Sequence, residues 1–208
     1  MTTEHLITFL DLLGTFVFAL SGAEAARESK LDLFGIITIA FLTACGGGIV
    51  RDLCLDVTPP VGISHWPYLA LTILATALVI GFSKTIERLN FPVLLFDAIG
   101  LSIFSVAGTQ KSLALGFNYE VAILLGVLSA IGGGMFRDVI LKRIPMVLRK
   151  EIYGSAALVG SIIFSLSHFF EINPNFGTWL GVIVCFLIRY LSLKRKWDLP
   201  NFSQDKID

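Results

Sequence analysis

Long apolar segments alternate with short polar connections along the chain. Seven apolar segments can be distinguished, each bounded by charged or polar residues or by glycine and proline. They cover about Leu6–Ala23, Leu33–Leu55, Trp66–Phe82, Phe91–Gly108, Val121–Leu141, Ile152–Phe170 and Phe176–Tyr190. Most of them approach the roughly 20 residues that a helix needs to cross a membrane. The pattern therefore predicts an all-α membrane protein with seven transmembrane helices.

The composition supports this prediction. Of the 208 residues, 55% are hydrophobic and 15% are charged, and the mean hydropathy is +0.80. Soluble domains carry about 25% charged residues, so this chain has too few to cover a water-facing surface. The 16 basic and 16 acidic residues give no net charge, which argues against nucleic acid as a partner. We expect residues 1–208 to form a single membrane domain.

The residue types that usually carry catalysis or bind metals form no recognisable motif. Cys45, Cys54 and Cys185 lack a CxxC spacing and neighbouring histidines, so we interpret them as small apolar residues of membrane helices. None of the three histidines forms a nucleophile motif with a serine, a cysteine or a carboxylate. The sequence therefore predicts neither an enzyme nor a bound metal or other cofactor.

Lysine and arginine are unevenly distributed over the predicted connections. With seven spans, the side of the membrane that holds the N-terminus carries only Arg51 and Lys111. The opposite side carries Arg27, Lys30, Lys84, Arg88, Arg137, Lys142, Arg143, Arg149, Lys150, Arg189, Lys194, Arg195, Lys196 and Lys206. Because positive residues accumulate in cytoplasmic connections, we expect the N-terminus outside and the C-terminus in the cytoplasm.

The first half of the chain recurs in the second half. Asp11-x-x-Gly14-x-x-x-Phe18-x-x-x-Gly22 returns 86 residues later as Asp97-x-x-Gly100-x-x-x-Phe104-x-x-x-Gly108. The same offset maps GGG-x-x-RD at 46–52 onto GGG-x-x-RD at 132–138. Residues 11–60 and 97–146 share 14 identities in 50 positions without a gap. The chain therefore contains an internal repeat.

Each copy of the repeat holds three predicted helices. Because three is odd, the second copy enters the membrane from the opposite face, which makes an inverted repeat. We place repeat one at about 6–90 and repeat two at about 91–173. A seventh helix at about 176–193 and a polar tail at 194–208 complete the chain.

Each repeat carries a run of three glycines in the middle of an apolar segment. Glycine costs about 1 kcal/mol relative to alanine in a helix, so a run marks a kink or break. Interrupted helices in matching positions of inverted halves indicate a substrate or ion pathway. The alternative is that the glycines only permit close helix packing. The candidate pore kinks are Gly46, Gly47, Gly48, Gly132, Gly133 and Gly134.

An arginine–aspartate pair follows each glycine run by one helical turn. Charges at this depth are expensive unless they are paired or hydrated. Inverted symmetry places Arg51 and Asp52 near one mouth of a pathway, and Arg137 and Asp138 near the other. The pairs can line or gate the two ends. Alternatively, each aspartate pairs with an arginine or caps a neighbouring helix, and the two interpretations can coexist.

Two further carboxylates lie near predicted helix starts. Asp11 and Asp97 come early in the first and fourth apolar segments. A carboxylate at a helix start is stabilised by the helix dipole. We interpret both residues as helix-start carboxylates.

Lys111 ends the fourth segment on the side that is otherwise almost free of positive charge. Its counterpart in the first repeat is Ala25, so the repeat does not explain it. A lysine here can regulate the passage of cations, or its side chain can reach the lipid headgroups. We include Lys111 among the charges at the pore mouth.

The doubled GGG-x-x-RD motif, together with Phe18-Ala19-Leu20-Ser21-Gly22-Ala23, resembles the bacterial branch of the trimeric intracellular cation (TRIC) channels. The same bacterial family also carries a glycine-transporter label. The resemblance covers about residues 6–193. It implies a homotrimer in a bacterial inner membrane, in contact with lipid, with a pore inside each subunit lined by kinked helices two and five.

The resemblance also implies permeation by monovalent cations, K+ and Na+, chiefly potassium. The alternative is a secondary transporter of a small solute, glycine. A channel needs one continuous wet path, whereas a transporter needs a midplane site and alternating occlusion. Inverted repeats with interrupted helices fit both classes.

Overall fold

The computed structural model describes residues 3–86, 92–149 and 152–195, and in these ranges the chain is helical without strands. Ten helices occur there: α1 Thr3–Glu28, α2 Leu33–Cys54, α3 Val61–Ser64, α4 Trp66–Gly81, α5 Ser83–Ile86, α6 Pro92–Ala114, α7 Tyr119–Ile140, α8 Met146–Arg149, α9 Gly154–Phe169 and α10 Pro174–Arg195. Seven of them follow the predicted apolar segments, and the short helices α3, α5 and α8 were not predicted. Most of the predicted polar tail, from residue 196 on, lies outside the described residues.

Five of the described helices are long and apolar enough to cross a membrane: α1, α2, α6, α7 and α10. Helices α4 and α9 are apolar but have only 16 residues each. The fold is thus that of an all-helical membrane protein with several spanning helices. The two shorter helices occupy the third and sixth predicted segments.

Helices α2 and α7 are equivalent in both bounds and caps. Each has 22 residues, and both their first and last residues are 86 positions apart. The side chain of Asp32 accepts a hydrogen bond of 2.8 Å from Gly35 N–H, and Asn118 accepts one of 2.9 Å from Val121 N–H. Aspartate and asparagine are favoured N-caps because they satisfy a free N–H of the first turn. The repeat therefore fixes where both helices begin.

The same two helices also end alike. Asp56 and Lys142 adopt left-handed backbone conformations, with φ of 57° and 55°. The N–H groups that follow, of Val57 and Arg143, bond back to the carbonyls of Asp52 and Asp138 at 2.9 and 2.8 Å. These bonds satisfy carbonyls that the helix end would otherwise leave free. After this turn, the first repeat continues into the short helix α3 and the second repeat into the short helix α8.

The two halves contact each other reciprocally through α1 and α6. Phe18 and Phe104, which are 86 residues apart, place their ring centroids 5.3 Å apart. A Cβ on Gly100 would lie 2.1 Å from the Phe18 ring, and one on Gly14 would lie 3.1 Å from the Phe104 ring. Each phenylalanine therefore packs on the glycine of the opposite repeat.

Helices α2 and α7 show the same reciprocity at their glycine runs. A Cβ on Gly47 would lie 2.1 Å from the Ser129 carbonyl oxygen, and one on Gly133 would lie 2.0 Å from the Thr43 carbonyl oxygen. The contact of 47 with 129 becomes the contact of 133 with 43 when the repeats are exchanged. Along α2 from residue 43 to residue 47, the contacted residue on α7 moves back from 133 to 129. The two helices therefore run in opposite directions and are related by a local two-fold axis.

Candidate functional site: two buried charge networks

The first network joins charged residues of α1, α2 and α6 with a tyrosine of α4. We define it as Asp11, Arg51, Asp52, Tyr68 and Lys111. Arg51 Nε donates to Asp52 Oδ1 at 2.9 Å, and Lys111 Nζ donates to the same oxygen at 2.8 Å. Tyr68 donates its hydroxyl to Asp11, whose carboxylate also lies 4.0 Å from Arg51 Nη1. Both carboxylates therefore face cationic partners.

A small cavity borders the first network. Its walls are Asp11, Thr15, Ala44, Cys45, Gly48, Arg51, Asp52, Val61, Gly62, Tyr68 and Phe104. The side chains of Asp11 and Lys111 remain 17% and 22% exposed, whereas that of Asp52 is 1% exposed. The network therefore extends from the protein surface to the aromatic pair at the two-fold axis.

The second network combines residues of the other repeat with one residue of α10, and it is more deeply buried. We define it as Asp97, Arg137, Asp138, Tyr153 and Arg189. Arg137 Nη1 donates to Asp97 Oδ1 at 2.8 Å, and its Nε donates to Asp138 Oδ1 at 2.9 Å. The Arg137 and Asp97 side chains are 1% and 0% exposed. Burial at this level requires pairing, because an isolated charge in an apolar medium costs many kcal/mol.

One serine from the opposite repeat contacts each arginine. Ser129 Oγ lies 3.4 Å from Arg51 Nη1, and Ser21 Oγ accepts a hydrogen bond of 2.7 Å from Arg137 Nη1. These serines are not equivalent by the 86-residue offset, since Ser21 corresponds to Ala107. The guanidinium groups thus connect the two halves in two different ways.

Asp52 and Asp138 also hold the loops that follow their helices. Asp52 Oδ2 accepts a hydrogen bond of 3.1 Å from Val61 N–H, and Asp138 Oδ2 accepts one of 3.0 Å from Met146 N–H. Val61 and Met146 are the first residues of α3 and α8. Each aspartate therefore pairs with its neighbouring arginine and caps a short helix. Both contacts that the structural alternative predicted, the ion pair with an arginine and the cap of a neighbouring helix, are therefore present.

The interpretation of Asp11 and Asp97 as helix-start carboxylates was wrong. Helix α1 begins at Thr3 and α6 begins at Pro92, so both carboxylates lie beyond the first turn. The field of the helix dipole falls off within that turn. Asp11 is bound by Tyr68 and Asp97 by Arg137. Both residues therefore belong to the charge networks.

The predicted break at the glycine runs is not observed. Helices α2 and α7 continue through both runs. Gly47, Gly132 and Gly133 let the two backbones touch, so the close-packing alternative describes them. A Cβ on Gly46 would meet the Phe136 ring at 2.6 Å, and one on Gly134 would meet the Tyr153 hydroxyl at 2.8 Å. A Cβ on Gly48 would meet just the Arg51 side chain, at 3.7 Å.

Sequence reasoning missed three members of the networks and both serines. Tyr68 and Tyr153 are 85 residues apart, one short of the repeat offset, so a comparison without gaps does not pair them. A single gap after residue 60 would have aligned them. Arg189 lies on α10, outside the repeat, and no pattern in the sequence connects it to Asp97 or Tyr153.

Comparisons with known proteins agree with the repeat. A family model described as glycine transporter matches the chain twice, over residues 8–84 and 94–168. The two matches begin 86 residues apart, which is the offset of the repeat. The UPF0126 inner membrane protein YadS of Escherichia coli K12 is 34% identical over 209 residues, which cover 97% of this chain and 98% of YadS.

Two solved structures share the fold over nearly the whole chain. The TRIC trimeric intracellular cation channel orthologue from Rhodobacter sphaeroides has a TM-score of 0.88 and 30% identity, covering 92% of this chain and 99% of that one. A structure described as the basis for conductance through TRIC cation channels has a TM-score of 0.86 and 28% identity, covering 99% and 100%. The chain is therefore a multi-pass membrane protein of the bacterial TRIC channel family, which the family model describes as glycine transporter.

Proposed function

We propose that the protein is a monovalent cation channel, chiefly for potassium, that assembles as a homotrimer with a pore inside each subunit. The observation that carries the proposal is the similarity to TRIC cation channels along nearly the entire chain. The charge networks support it, because charged residues inside a membrane protein are costly and commonly mark an ion pathway.

In this proposal the pathway follows α2 and α7 from one network to the other. Arg51, Asp52 and Lys111 form one mouth, and Arg137 and Asp138 form the other. Between them lie the Phe18–Phe104 pair and the crossing of the glycine runs. Carboxylate and hydroxyl oxygens can replace part of the hydration shell of a cation, whereas an apolar constriction can stop it. Opening would bend α2 and α7 at their glycines.

The proposed topology has seven spans arranged as two inverted three-helix repeats and a seventh helix, α10. The contact of Phe18 with Phe104 and the reciprocal contacts of Gly47 with Ser129 and of Gly133 with Thr43 support the inverted relation. The excess of positive residues on one side supports a cytoplasmic C-terminus. The first network then faces the outside of the cell and the second faces the cytoplasm.

A carrier for glycine is the second candidate function. The description of the matching family model favours it, and inverted repeats are frequent in secondary transporters. A carrier would have to occlude its substrate near the midplane, where the backbones of α2 and α7 touch. The two functions differ in the rate and electrical signature of transport.

Purified protein in planar bilayers with potassium chloride tests the proposal. We expect unitary currents that reverse at the potassium equilibrium potential. The same protein in vesicles should take up no glycine above the level of protein-free vesicles. Saturable, electrically silent glycine uptake without unitary currents would establish the carrier instead.

A matched pair of variants connects the current to the first network. Asp11→Asn leaves this network with an uncompensated positive charge, so we expect a reduced potassium current. Asp56→Asn makes the same chemical change at an exposed position in the left-handed turn after α2, where asparagine is tolerated. Its current should equal that of the wild type. If Asp11→Asn and Asp56→Asn gave equal currents, Asp11 would not contribute to the ion pathway.

A further inference from the structure

The two networks have the same set of charges, but one charge has a different origin. Each contains two aspartates, one tyrosine and the arginine of the repeated Arg-Asp pair. In the first network the second cation is Lys111 of α6, which belongs to a repeat. In the second network the second cation is Arg189 of α10, which belongs to neither repeat. A helix outside the symmetric unit thus completes the second network.

The repeat alone would leave the second network with an excess negative charge. The symmetric counterpart of Lys111 is Ala25, which is fully buried and carries no charge. Asp97 and Asp138 would then face the single positive charge of Arg137. Arg189, on the Tyr153 ring, brings the net charge of the second network back to zero.

The contacts of Arg189 are unusual for a residue that only holds a helix in place. The residue is 0% exposed, and its guanidinium carbon lies 4.8 Å from the centre of the Tyr153 ring. Its Nη1 donates a long hydrogen bond of 3.3 Å to the Ile152 carbonyl. Its Nε and Nη2 are buried without a hydrogen-bond partner among the described residues. Unpaired buried donors are costly, so packing alone does not account for this arginine.

Two oxygen atoms of the second network also lack a hydrogen-bond partner among the described residues. Asp97 Oδ2 and the Tyr153 hydroxyl are both buried without a partner in the described part of the chain. The Tyr153 hydroxyl and Asp97 Oδ1 both lie beside Gly134, 2.8 and 3.3 Å from where its Cβ would be. The tyrosine therefore links Arg189 to the Asp97–Arg137 pair. The charge of Arg189 acts on this pair from the side of α10.

We propose that Arg189 is the positive charge by which α10 limits cation passage through the second network, the role that we expect of Lys111 in the first. This inference rests on the proposed cation channel. A cation that enters the second network meets Asp97 and Asp138, but also the repulsion of two guanidinium groups. Without Arg189 the network keeps one excess negative charge, which raises the local concentration of cations.

The test compares Arg189→Gln and Arg189→Met with the charge-conserving Arg189→Lys in planar bilayers. Lys194→Gln is the matched control, because it removes a positive charge from the exposed last turn of the same helix. We expect the two neutral variants to raise the unitary potassium current about threefold at low ionic strength, and the increase to shrink in high salt. Arg189→Lys keeps the charge but loses the planar group on the Tyr153 ring, so its current should rise less than that of the neutral variants. Lys194→Gln should conduct like the wild type.

Size-exclusion chromatography with light scattering, run on every variant, separates a fold defect from a change in conduction. Wild-type currents from assembled Arg189→Gln and Arg189→Met at all salt concentrations would overturn the inference and leave the proposed channel intact. Failure of both neutral variants to assemble, while Arg189→Lys assembles, would also overturn it, because the charge would then serve the fold. Absence of current from the wild type would instead refute the proposed function.

Discussion

Asp52 and Asp138 each combine an ion pair with a backbone hydrogen bond. One carboxylate oxygen binds the neighbouring arginine, and the other accepts the N–H of the first residue of a short helix. An ion pair buried in an apolar surrounding gains little net free energy, but losing one partner leaves the other charge uncompensated. These aspartates therefore stabilise the local fold independently of any role in conduction.

Replacing Asp138 tests this structural role. Asp138→Ala removes a partner of the buried Arg137 and the acceptor of Met146 N–H, so we expect a loss of about 3–5 kcal/mol in stability. Asp138→Asn keeps an acceptor for the backbone and should cost less. Thermal unfolding in detergent, monitored by tryptophan fluorescence, measures the relative stabilities of the wild type and the two variants. Equal midpoints for the alanine variant and the wild type would contradict the role.

At the first network, Lys111 is the residue whose charge we expect to oppose cation entry. Its Nζ lies 2.8 Å from Asp52 Oδ1 and its side chain is 22% exposed, so it contacts the network instead of reaching only toward headgroups. Two unit charges about 4 Å apart in water interact by about 1 kcal/mol. Lys111→Ala should therefore raise the potassium current, and Lys111→Glu should raise it further.

The salt dependence of the Lys111 variants distinguishes an electrostatic effect from a change in shape. Screening acts beyond about 8 Å at physiological ionic strength, so the differences should decrease as salt rises. Lys84→Ala provides the control, because Lys84 is exposed on the short helix α5. Lys111 variants that conduct like Lys84→Ala at every salt concentration would remove the lysine from the pathway.

At the scale of the elements, the crossing of α2 and α7 decides how closely the two halves approach. Glycine lets the backbone of one helix contact the carbonyl of the other, as small residues do in membrane proteins generally. The helices remain continuous across the contact. The conformational cost of the glycines is thus offset by packing at the crossing.

Single alanine substitutions distinguish packing glycines from others. Gly47→Ala and Gly133→Ala would place a methyl group about 2 Å from a backbone carbonyl oxygen of the opposite helix, which overpacks the crossing. We expect each to lower stability by at least about 1–3 kcal/mol. Gly48→Ala is the matched control, because its Cβ would lie 3.7 Å from the Arg51 side chain, an ordinary van der Waals distance. A Gly47→Ala protein as stable as Gly48→Ala would contradict the packing role.

At the scale of the whole molecule, the sided distribution of positive charge predicts the topology. Alkaline phosphatase fused after Gly116, in the connection between α6 and α7, should be active because we expect this connection outside. A phosphatase fused after Asp208 should be inactive, and a fluorescent protein at the same position should fold and fluoresce. The opposite activities would reverse the assignment of the two networks to the two sides of the membrane.

The sequence by itself determined the longer helices, the repeat and the Arg-Asp pairs that follow the glycine runs. Apolar length, polar boundaries and the 86-residue offset are local or linear properties, and the apolar segments predicted α2 and α7 to within two residues at each end. The repeated Arg-Asp pairs could be recognised because an arginine and the aspartate next to it interact within one turn of the same helix.

Only the tertiary structure decided which charges meet. Lys111 reaches Asp52 across 59 positions and Arg189 reaches Tyr153 from another helix, because the crossings of α6 and α10 bring them there. The sequence also led us to interpret Asp11 and Asp97 by their distance from a helix start, so their partners on other helices, Tyr68 and Arg137, were not foreseen. Contacts between separate helices depend on crossing geometry, and periodicity along one chain carries no information about it.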